Sequence, residues 1–305
     1  MRITLLGPQR TPAVGAVARS LPAEGPIATV TAGWQEREPD DAELDRQLGS
    51  RSVNLSLYGR WLDVQERDPA FAAADRRLRQ VLDEAQETYL LRLHHALAAV
   101  SALQRRGGNE QLRTEAVDEA VAAVRELDAR HLDRVGDVRT EFHRAWPPQD
   151  RAVIAEHRAA VAGLLGRAVG LVLTGGHVGV LLDTLLLFDV AAAVHFPVVA
   201  WSAGAMALTD RIVLFHDRSP QGWGHPEVYA DGLGLVRGVV PLPHARSRLR
   251  LDDAARMAVF ARRFAPSRCV LLETGTRVET DADGTCPAGT RMLMADGRVS
   301  SMEAA

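Results

Sequence analysis

The segment from Val198 to Ala205 has the residue pattern of an activated serine. It reads VVAWSAGA, so an apolar, β-branched strand runs through Ser202 directly into small, helix-compatible residues. A strand that turns at once into a helix is tight and strained, and the neighbours two residues away, here Ala200 and Gly204, must be small. The helix start also brings the Ala203 backbone N–H beside a developing oxyanion. The pattern predicts a nucleophile, although a serine that only caps a helix has similar neighbours.

Three other segments could complete a serine site. Residues 174–177 read TGGH, and a glycine at a strand end lets the backbone turn and present a second N–H to the oxyanion, which we expect of Gly176. A serine nucleophile needs a base of near-neutral pKa, and His244 lies where a further sheet element should end. Glu273 directly follows an apolar strand, where a carboxylate points at the ligand crevice and can orient the imidazole.

Taken together, these segments resemble the peptidase E and cyanophycinase family of serine peptidases. The motifs that carry the resemblance are Trp201-Ser202-Ala203-Gly204-Ala205, Gly175-Gly176, Pro243-His244 and Leu272-Glu273. That family has a class I glutamine amidotransferase-like, flavodoxin-like α/β fold and cleaves peptide or isopeptide bonds next to aspartate. Its triad runs Ser, His, Glu along the chain, whereas ordinary α/β-hydrolases place the acid before the histidine.

The resemblance implies a role for each matching residue. Ser202 would be the nucleophile, His244 the base and Glu273 the orienting acid, with the N–H groups of Gly176 and Ala203 as oxyanion donors. Two positions depart from the family: Ala200 stands where relatives usually carry glycine, and His177 stands where they tend to have Asp, Asn or Gln. The identity of the substrate is therefore open.

Several side chains near these motifs are candidates for binding substrate. Arg246, Arg248 and Arg250 follow His244, and guanidinium groups bind carboxylates in bidentate fashion, which suggests an acidic substrate group. Surface charge beside a helix explains the same cluster equally well. The remaining candidates lie after the predicted strand ends and are Gly175, His177, Gln9 and, with less weight, Arg10.

Short apolar strands without alternation predict a mostly parallel, doubly wound sheet covered by helices on both faces. We expect strands at 3–6, 27–32, 170–173, 197–200 and 269–272, and helices at 12–21, 149–166, 178–188, 203–212 and 252–264. Asp283-Gly284 and Asp296-Gly297 predict C-terminal hairpin strands that cap this sheet.

A long, charge-rich segment interrupts the α/β pattern. Apolar residues step by three and four from Leu82 to Leu103, a Gly107-Gly108-Asn109 turn follows, and the stepping resumes from Val117 to Phe142. The pattern predicts an inserted helical hairpin. We therefore expect an α/β hydrolytic domain of residues 1–50 and 148–305 and a helical subdomain of residues 51–147, which could cover the site or form a homodimer contact.

Composition excludes several classes of function. The 305-residue chain has 36 basic residues, all arginine, against 39 acidic ones. Without lysine there is no Walker-type phosphate loop, no pyridoxal Schiff base and no Ser/Lys dyad. A net charge of −3 gives no global field for nucleic acid. Two cysteines, short apolar runs and the lack of a signal-peptide core predict a soluble, cytoplasmic protein that uses no cofactor and contacts no membrane.

The sequence thus favours a serine hydrolase that cleaves a small peptide, isopeptide or amide bond through an acyl-enzyme. A catalytically silent member of the fold, binding a ligand or partner, is the main alternative. Amidotransfer from glutamine is a second, but it needs a thiolate where this chain has Ser202. A metal site of His216, Asp217 and His225 is a third, although this spacing matches no strong ligand signature.

Overall fold

The computed structural model describes residues 1–9, 14–217 and 224–303. The strands are β1 Ile3–Leu6, β2 Ile27–Val30, β3 Ser52–Asn54, β4 Gly170–Leu173, β5 Val198–Trp201, β6 Ile212–Leu214, β7 Glu227–Ala230, β8 Val239–Pro243, β9 Arg268–Leu272, β10 Arg277–Thr280, β11 Arg291–Leu293 and β12 Val299–Ser301. The helices are α1 Gly15–Ala18, α2 Ala42–Gln47, α3 Leu57–Arg67, α4 Pro69–Arg105, α5 Glu110–Ala145, α6 Ala152–Leu165, α7 Val178–Leu187, α8 Ala203–Ala207, α9 Ala245–Arg248 and α10 Ala254–Phe264.

The central sheet has the strand order β10-β1-β5-β4-β2-β3, and its pairs are parallel except for β10 against β1. Strands β1, β2, β4 and β5 are buried along their whole length. Alternate residues of these strands enter two different apolar clusters, as Leu171 and Val172 of β4 show. Both faces of the sheet are therefore covered, which confirms the predicted α/β class with a mostly parallel sheet.

A second sheet, of order β12-β11-β9-β8, carries the two strands that precede His244 and Glu273. Strands β8 and β9 pair in parallel, from Val239 opposite Arg268 to Pro243 opposite Leu272. They do not extend the central sheet because β10 already occupies the free edge of β1. We expected the strands before Ser202, His244 and Glu273 to end at the edge of one sheet. Instead, the strand before Ser202 belongs to the central sheet, and the strands before His244 and Glu273 belong to the second sheet.

Helices α4 and α5 form the helical hairpin that the apolar stepping predicts. Asp68 caps α4 by accepting a hydrogen bond from the Phe71 N–H, and Asn109 caps α5 by accepting one from the Leu112 N–H. Gly108 lies in the turn between the helices at φ +114°, a conformation that favours glycine. The facing apolar side chains are buried: Tyr89, Leu93, Leu97, Val100, Val117, Val121, Val124 and Leu127.

A buried ion-pair network fixes this hairpin to the α/β part. The Arg263 guanidinium of α10 donates to both carboxylate oxygens of Asp128 on α5, at 2.6 and 2.7 Å, and to the Tyr89 hydroxyl of α4 at 2.8 Å. The side chains of Arg263 and Asp128 are only 2% and 4% exposed. Because removing either charge would leave the other buried and unpaired, the three elements are tied together.

Some element boundaries differ from the expectation. Helix α8 ends at Ala207 rather than near residue 212, because the chain makes a bridge at Thr209 and enters β6. Asp296-Gly297 joins the antiparallel pair β11 and β12 as predicted, but Asp283-Gly284 does not close a hairpin, since β10 pairs with β1. Pro12, in the first predicted helix, lies outside the described residues.

The predicted division into two domains stays a prediction. The strand β3, at the start of the segment assigned to the helical subdomain, pairs in parallel with β2 of the central sheet.

Among the described residues, no helix is both long enough and apolar enough to cross a bilayer.

Candidate active site

Ser202 lies between β5 and α8 in a strained backbone conformation. Its φ and ψ angles are 49° and −119°, a region that side-chain-bearing residues rarely adopt. A methyl group on Gly204 would lie 2.5 Å from the Leu173 carbonyl oxygen and 2.6 Å from that of Thr174, so this position tolerates no side chain without a shift. The local geometry is that of the elbow, residues 201–203, which the small neighbours of Ser202 predict.

The glycine pair after β4 packs against this elbow. A methyl group on Gly175 would lie 3.0 Å from the Ser202 Cβ and 3.5 Å from its Oγ. Gly176 has φ +117°, and a methyl group there would lie 2.1 Å from the Gly33 carbonyl oxygen. Gly176 is thus required by its positive φ and by the close approach of the Gly33 backbone, whereas Gly175 leaves room for the side chain of Ser202. In the described chain, the N–H groups of Gly176 and Ala203 donate no hydrogen bond.

His244 and Glu273 come together at the ends of β8 and β9. The His244 N–H donates to the Leu272 carbonyl at 3.2 Å, continuing the parallel ladder. The residue after β1, Gly7, connects them to the elbow: β1 pairs with β5 up to Leu6 opposite Trp201, and a methyl group on Gly7 would collide with the Glu273 carbonyl. The three predicted triad residues therefore belong to neighbouring strand ends.

A catalytic triad also needs hydrogen bonds between the side chains of Ser202, His244 and Glu273. The Glu273 carboxylate accepts a hydrogen bond from the Arg246 N–H at 2.7 Å, which holds it at the start of α9, next to His244. The Ser202 hydroxyl makes no hydrogen bond to any residue that the structure describes. The triad thus stays a prediction, supported by position and not by a closed chain of hydrogen bonds.

Ser202 opens into a cleft of about 670 Å³, and His244 lines the same cleft. Its wall comes from the central sheet, the second sheet and the antiparallel pair β6 and β7, and from the first turn of α7 and helix α4 of the hairpin. The lining residues are Pro8, Gln9, Trp34, Asp83, Gly175, Gly176, His177, Val178, Gly179, Trp201, Ser202, Ala203, Met206, Leu214, His216, Tyr229, Pro243, His244 and Arg248.

Most of the expected substrate-binding residues lie in this cleft, but Arg246 and Arg250 do not line it. Gln9 and His177 line it, and His177 also caps α7, since its Nδ1 accepts a hydrogen bond from the Val180 N–H at 3.2 Å. This hydrogen bond gives His177, at the position directly after the glycine pair, a structural role as the N-cap of α7. Arg246 has an exposed side chain and does not line the cleft, whereas Arg248 does. Arg10 lies outside the described residues.

Arg248 gives the cleft a positive wall. Its side chain is half-buried, and no carboxylate of the described residues pairs with it. Removal from water lowers the pKa of Arg248 from its ordinary value, and no neighbouring acid offsets that effect. The nearby His216 has its pKa lowered by burial first and by the charge of Arg248 second. A guanidinium in this state favours an anionic partner.

Three residues that line the cleft were not predicted from the sequence. Trp34 follows β2 by a few residues, so its position after a strand end was a usable signal. Asp83 lies on the hairpin and Tyr229 on β7, and their placement depends on how α4 packs against β7. No local pattern in the sequence reports such packing.

The alternative metal site is not formed. Asp217 is buried in an ion pair with Arg256, whose guanidinium donates to both carboxylate oxygens at 2.6 and 3.1 Å. Within residues 1–9, 14–217 and 224–303, no three His, Cys, Asp or Glu side chains come together as a metal ion would need. Burial raises the pKa of the Cys269 and Cys286 thiols, and neither cysteine lines the cleft.

No family model and no curated protein matches the sequence. Among solved structures, the chain is similar to a peptidase from an acI-B1 actinobacterium, with 13% sequence identity and a TM-score of 0.46. The similarity covers 99% of this chain and 94% of that one. A distant structural neighbour is thus a peptidase, but at this TM-score the likeness is too remote to say anything about the chemistry of the present chain.

Proposed function

We propose that this protein is a serine hydrolase that cleaves a small peptide, isopeptide or amide bond, as the resemblance to the peptidase E and cyanophycinase family implies. The observation that supports it most is the strained conformation of Ser202 at the entrance of a cleft that His244 also lines. Positive φ at a serine between a buried strand and a helix is characteristic of a nucleophile held for attack.

The proposed reaction begins with attack of the Ser202 Oγ on the substrate carbonyl carbon while His244 accepts the hydroxyl proton. The N–H groups of Gly176 and Ala203 hold the oxyanion, and each such donor contributes on the order of 3 kcal/mol. His244 then protonates the leaving amine, and an acyl-enzyme ester on Ser202 remains. Water hydrolyses that ester with His244 again as base, and Glu273 orients the imidazole.

This reaction requires the Ser202 hydroxyl and His244 to approach when substrate is bound. Such hydrogen bonds are often long or poorly aligned in ligand-free enzymes and tighten in the substrate complex. The Ser202 hydroxyl, which has no hydrogen bond to a described residue, is compatible with that behaviour, and it equally favours the second candidate, a silent member of the fold that binds a ligand in the cleft.

Labelling by a fluorophosphonate, with Ser202→Ala as control, tests the proposal. We expect covalent modification of the wild-type protein at Ser202, located by peptide mass spectrometry, and none in the variant. A panel of aspartyl dipeptides, isoaspartyl peptides and simple esters extends the test. A protein that is neither labelled nor turns over any of these substrates is a binder, and the hydrolase proposal fails.

We further propose that the substrate carries a carboxylate that binds Arg248. Arg248→Gln removes this charge from the cleft, while Arg246→Gln removes one that is exposed and outside it, which makes the two variants a matched pair. Because charge-assisted hydrogen bonds contribute about 1.5–3 kcal/mol, we expect Arg248→Gln to lower kcat/KM for acidic substrates at least about 10-fold. Equal effects of the two substitutions would contradict this assignment.

A further inference from the structure

The helical hairpin contributes one carboxylate to the cleft, that of Asp83 on α4. This side chain is exposed and has no hydrogen bond or ion pair within the described chain. Two nearby acids are paired with arginines: Asp75 with Arg79, and Asp183 with Arg139. Unlike these two acids, Asp83 makes no ion pair with the described residues.

Tyr229 of β7 faces the same corner. A methyl group on Gly179, in the first turn of α7, would lie 2.6 Å from the Tyr229 hydroxyl oxygen. Burial, and then the negative charges of Asp183 and Asp83, raise the pKa of Tyr229 to about 12. The phenol is thus neutral at physiological pH. Its hydroxyl makes no hydrogen bond to the described residues, so its oxygen can accept one from a ligand.

The helix that carries Asp83 is fixed by contacts one and nearly two turns further along α4. The Gln86 amide donates to the Glu227 carboxylate at 3.1 Å and to the Val228 carbonyl at 3.3 Å. The hydroxyl of Tyr89 accepts a hydrogen bond from the Val228 N–H at 3.1 Å. Because these contacts join α4 to β7, the helix that carries Asp83 and the strand that carries Tyr229 are held together at the cleft in the absence of substrate, which reduces the entropy cost of binding.

We propose that Asp83 and the Tyr229 hydroxyl bind a positively charged group of the substrate on which Ser202 acts, so that the helical hairpin determines specificity. This inference rests on the proposed hydrolase function. A carboxylate with a neighbouring phenol oxygen offers the acceptors that an ammonium or guanidinium needs. With Arg248 in the same cleft, the substrate would be dipolar, carrying one cationic and one anionic group.

The cation has two sources, a free α-amino group or a basic side chain, and matched substrates distinguish them. One pair of aspartyl peptides differs only in N-terminal acetylation, and a second pair has arginine or citrulline as the neighbouring residue. We expect Asp83→Asn to lower kcat/KM about 10-fold or more for the charged member of one pair and to leave its neutral member nearly unchanged. The pair that responds identifies the source.

The control is Glu87→Gln, which removes a charge from the same helix at an exposed position outside the cleft, and which should keep the wild-type preference. Asp83→Glu should retain more of the preference than Asp83→Asn. If Asp83→Asn keeps both preferences at wild-type values, the inference is wrong even though Ser202 is labelled. If wild-type protein is not labelled by the fluorophosphonate, the proposed function fails first and this inference fails with it.

Discussion

Replacing Ser202 with glycine is expected to give a more stable protein than replacing it with alanine. Both substitutions delete the hydroxyl, and both should abolish labelling by a fluorophosphonate. They differ in the backbone, because φ 49° and ψ −119° are unfavourable for alanine as for serine, whereas glycine adopts positive φ without a steric penalty. The comparison therefore measures the strain stored in the backbone at position 202.

The magnitude follows from two opposing effects. A residue held in such a region costs about 1–3 kcal/mol, which glycine relieves. Glycine also makes the unfolded chain more flexible, and this lowers stability by about 0.4–1 kcal/mol relative to alanine. We therefore expect Ser202→Gly to exceed Ser202→Ala in free energy of unfolding by up to about 2.5 kcal/mol.

Urea denaturation of the two variants, followed by circular dichroism, measures this difference. Ser101, in the interior of α4, supplies the control pair, since glycine in a regular helix is about 1 kcal/mol less stable than alanine. The sign of the glycine-minus-alanine difference should thus reverse between the two positions. The same sign at both would refute the idea that the elbow stores strain.

Three further outcomes are expected. Gly204→Ala pushes a methyl group against two backbone carbonyls; it should destabilise the fold by about 1–3 kcal/mol and reduce fluorophosphonate labelling, both of which are measured on one preparation. Arg263→Met leaves Asp128 buried without its cation and should cost about 3–5 kcal/mol in urea denaturation, with part of the loss recovered by Asp128→Asn in the same chain. Burial first, and then nearby positive charges, lower the pKa of His225 from 6.5 to about 4, so the unfolded state takes up a proton before the folded state does. Stability should therefore fall as the pH falls from about 6.5 towards 4, and less steeply in His225→Gln; identical profiles would contradict this assignment.

Most of what could be predicted about the fold came from local sequence patterns, namely short apolar runs and the regular spacing of apolar residues. The short, fully apolar strands β4 and β5 are found within a residue of their predicted ends, because a parallel strand buried on both faces leaves that signature in the sequence. The stepping of apolar residues likewise predicts α4 and α5. The division of the strands among three sheets was not predictable, since which strand pairs with β1 depends on the whole chain.

The candidate site divides in the same way. The elbow at Ser202 is a local backbone feature, and the small residues around it report the geometry directly. The N-cap role of His177 is also local, although its meaning emerges only from the hydrogen bond to the next turn. The contribution of Asp83 is not local, because a carboxylate on a charge-rich helix looks like any solvated residue until α4 is placed against β7.

The separation of Ser202 and His244 onto different sheets has a consequence for how such a site can change. A slip along the β8–β9 ladder would move the imidazole by about 3.3 Å per residue, and a one-residue slip would also turn it to the opposite face of the sheet, while the elbow stayed in place. The position of the His244 imidazole and the backbone conformation of Ser202 can therefore vary independently. Laboratory evolution aimed at a new scissile bond could therefore select changes in the elbow and changes in the β8–β9 strand ends separately, and Gly7 is one point where the two parts touch, against the carbonyl of Glu273.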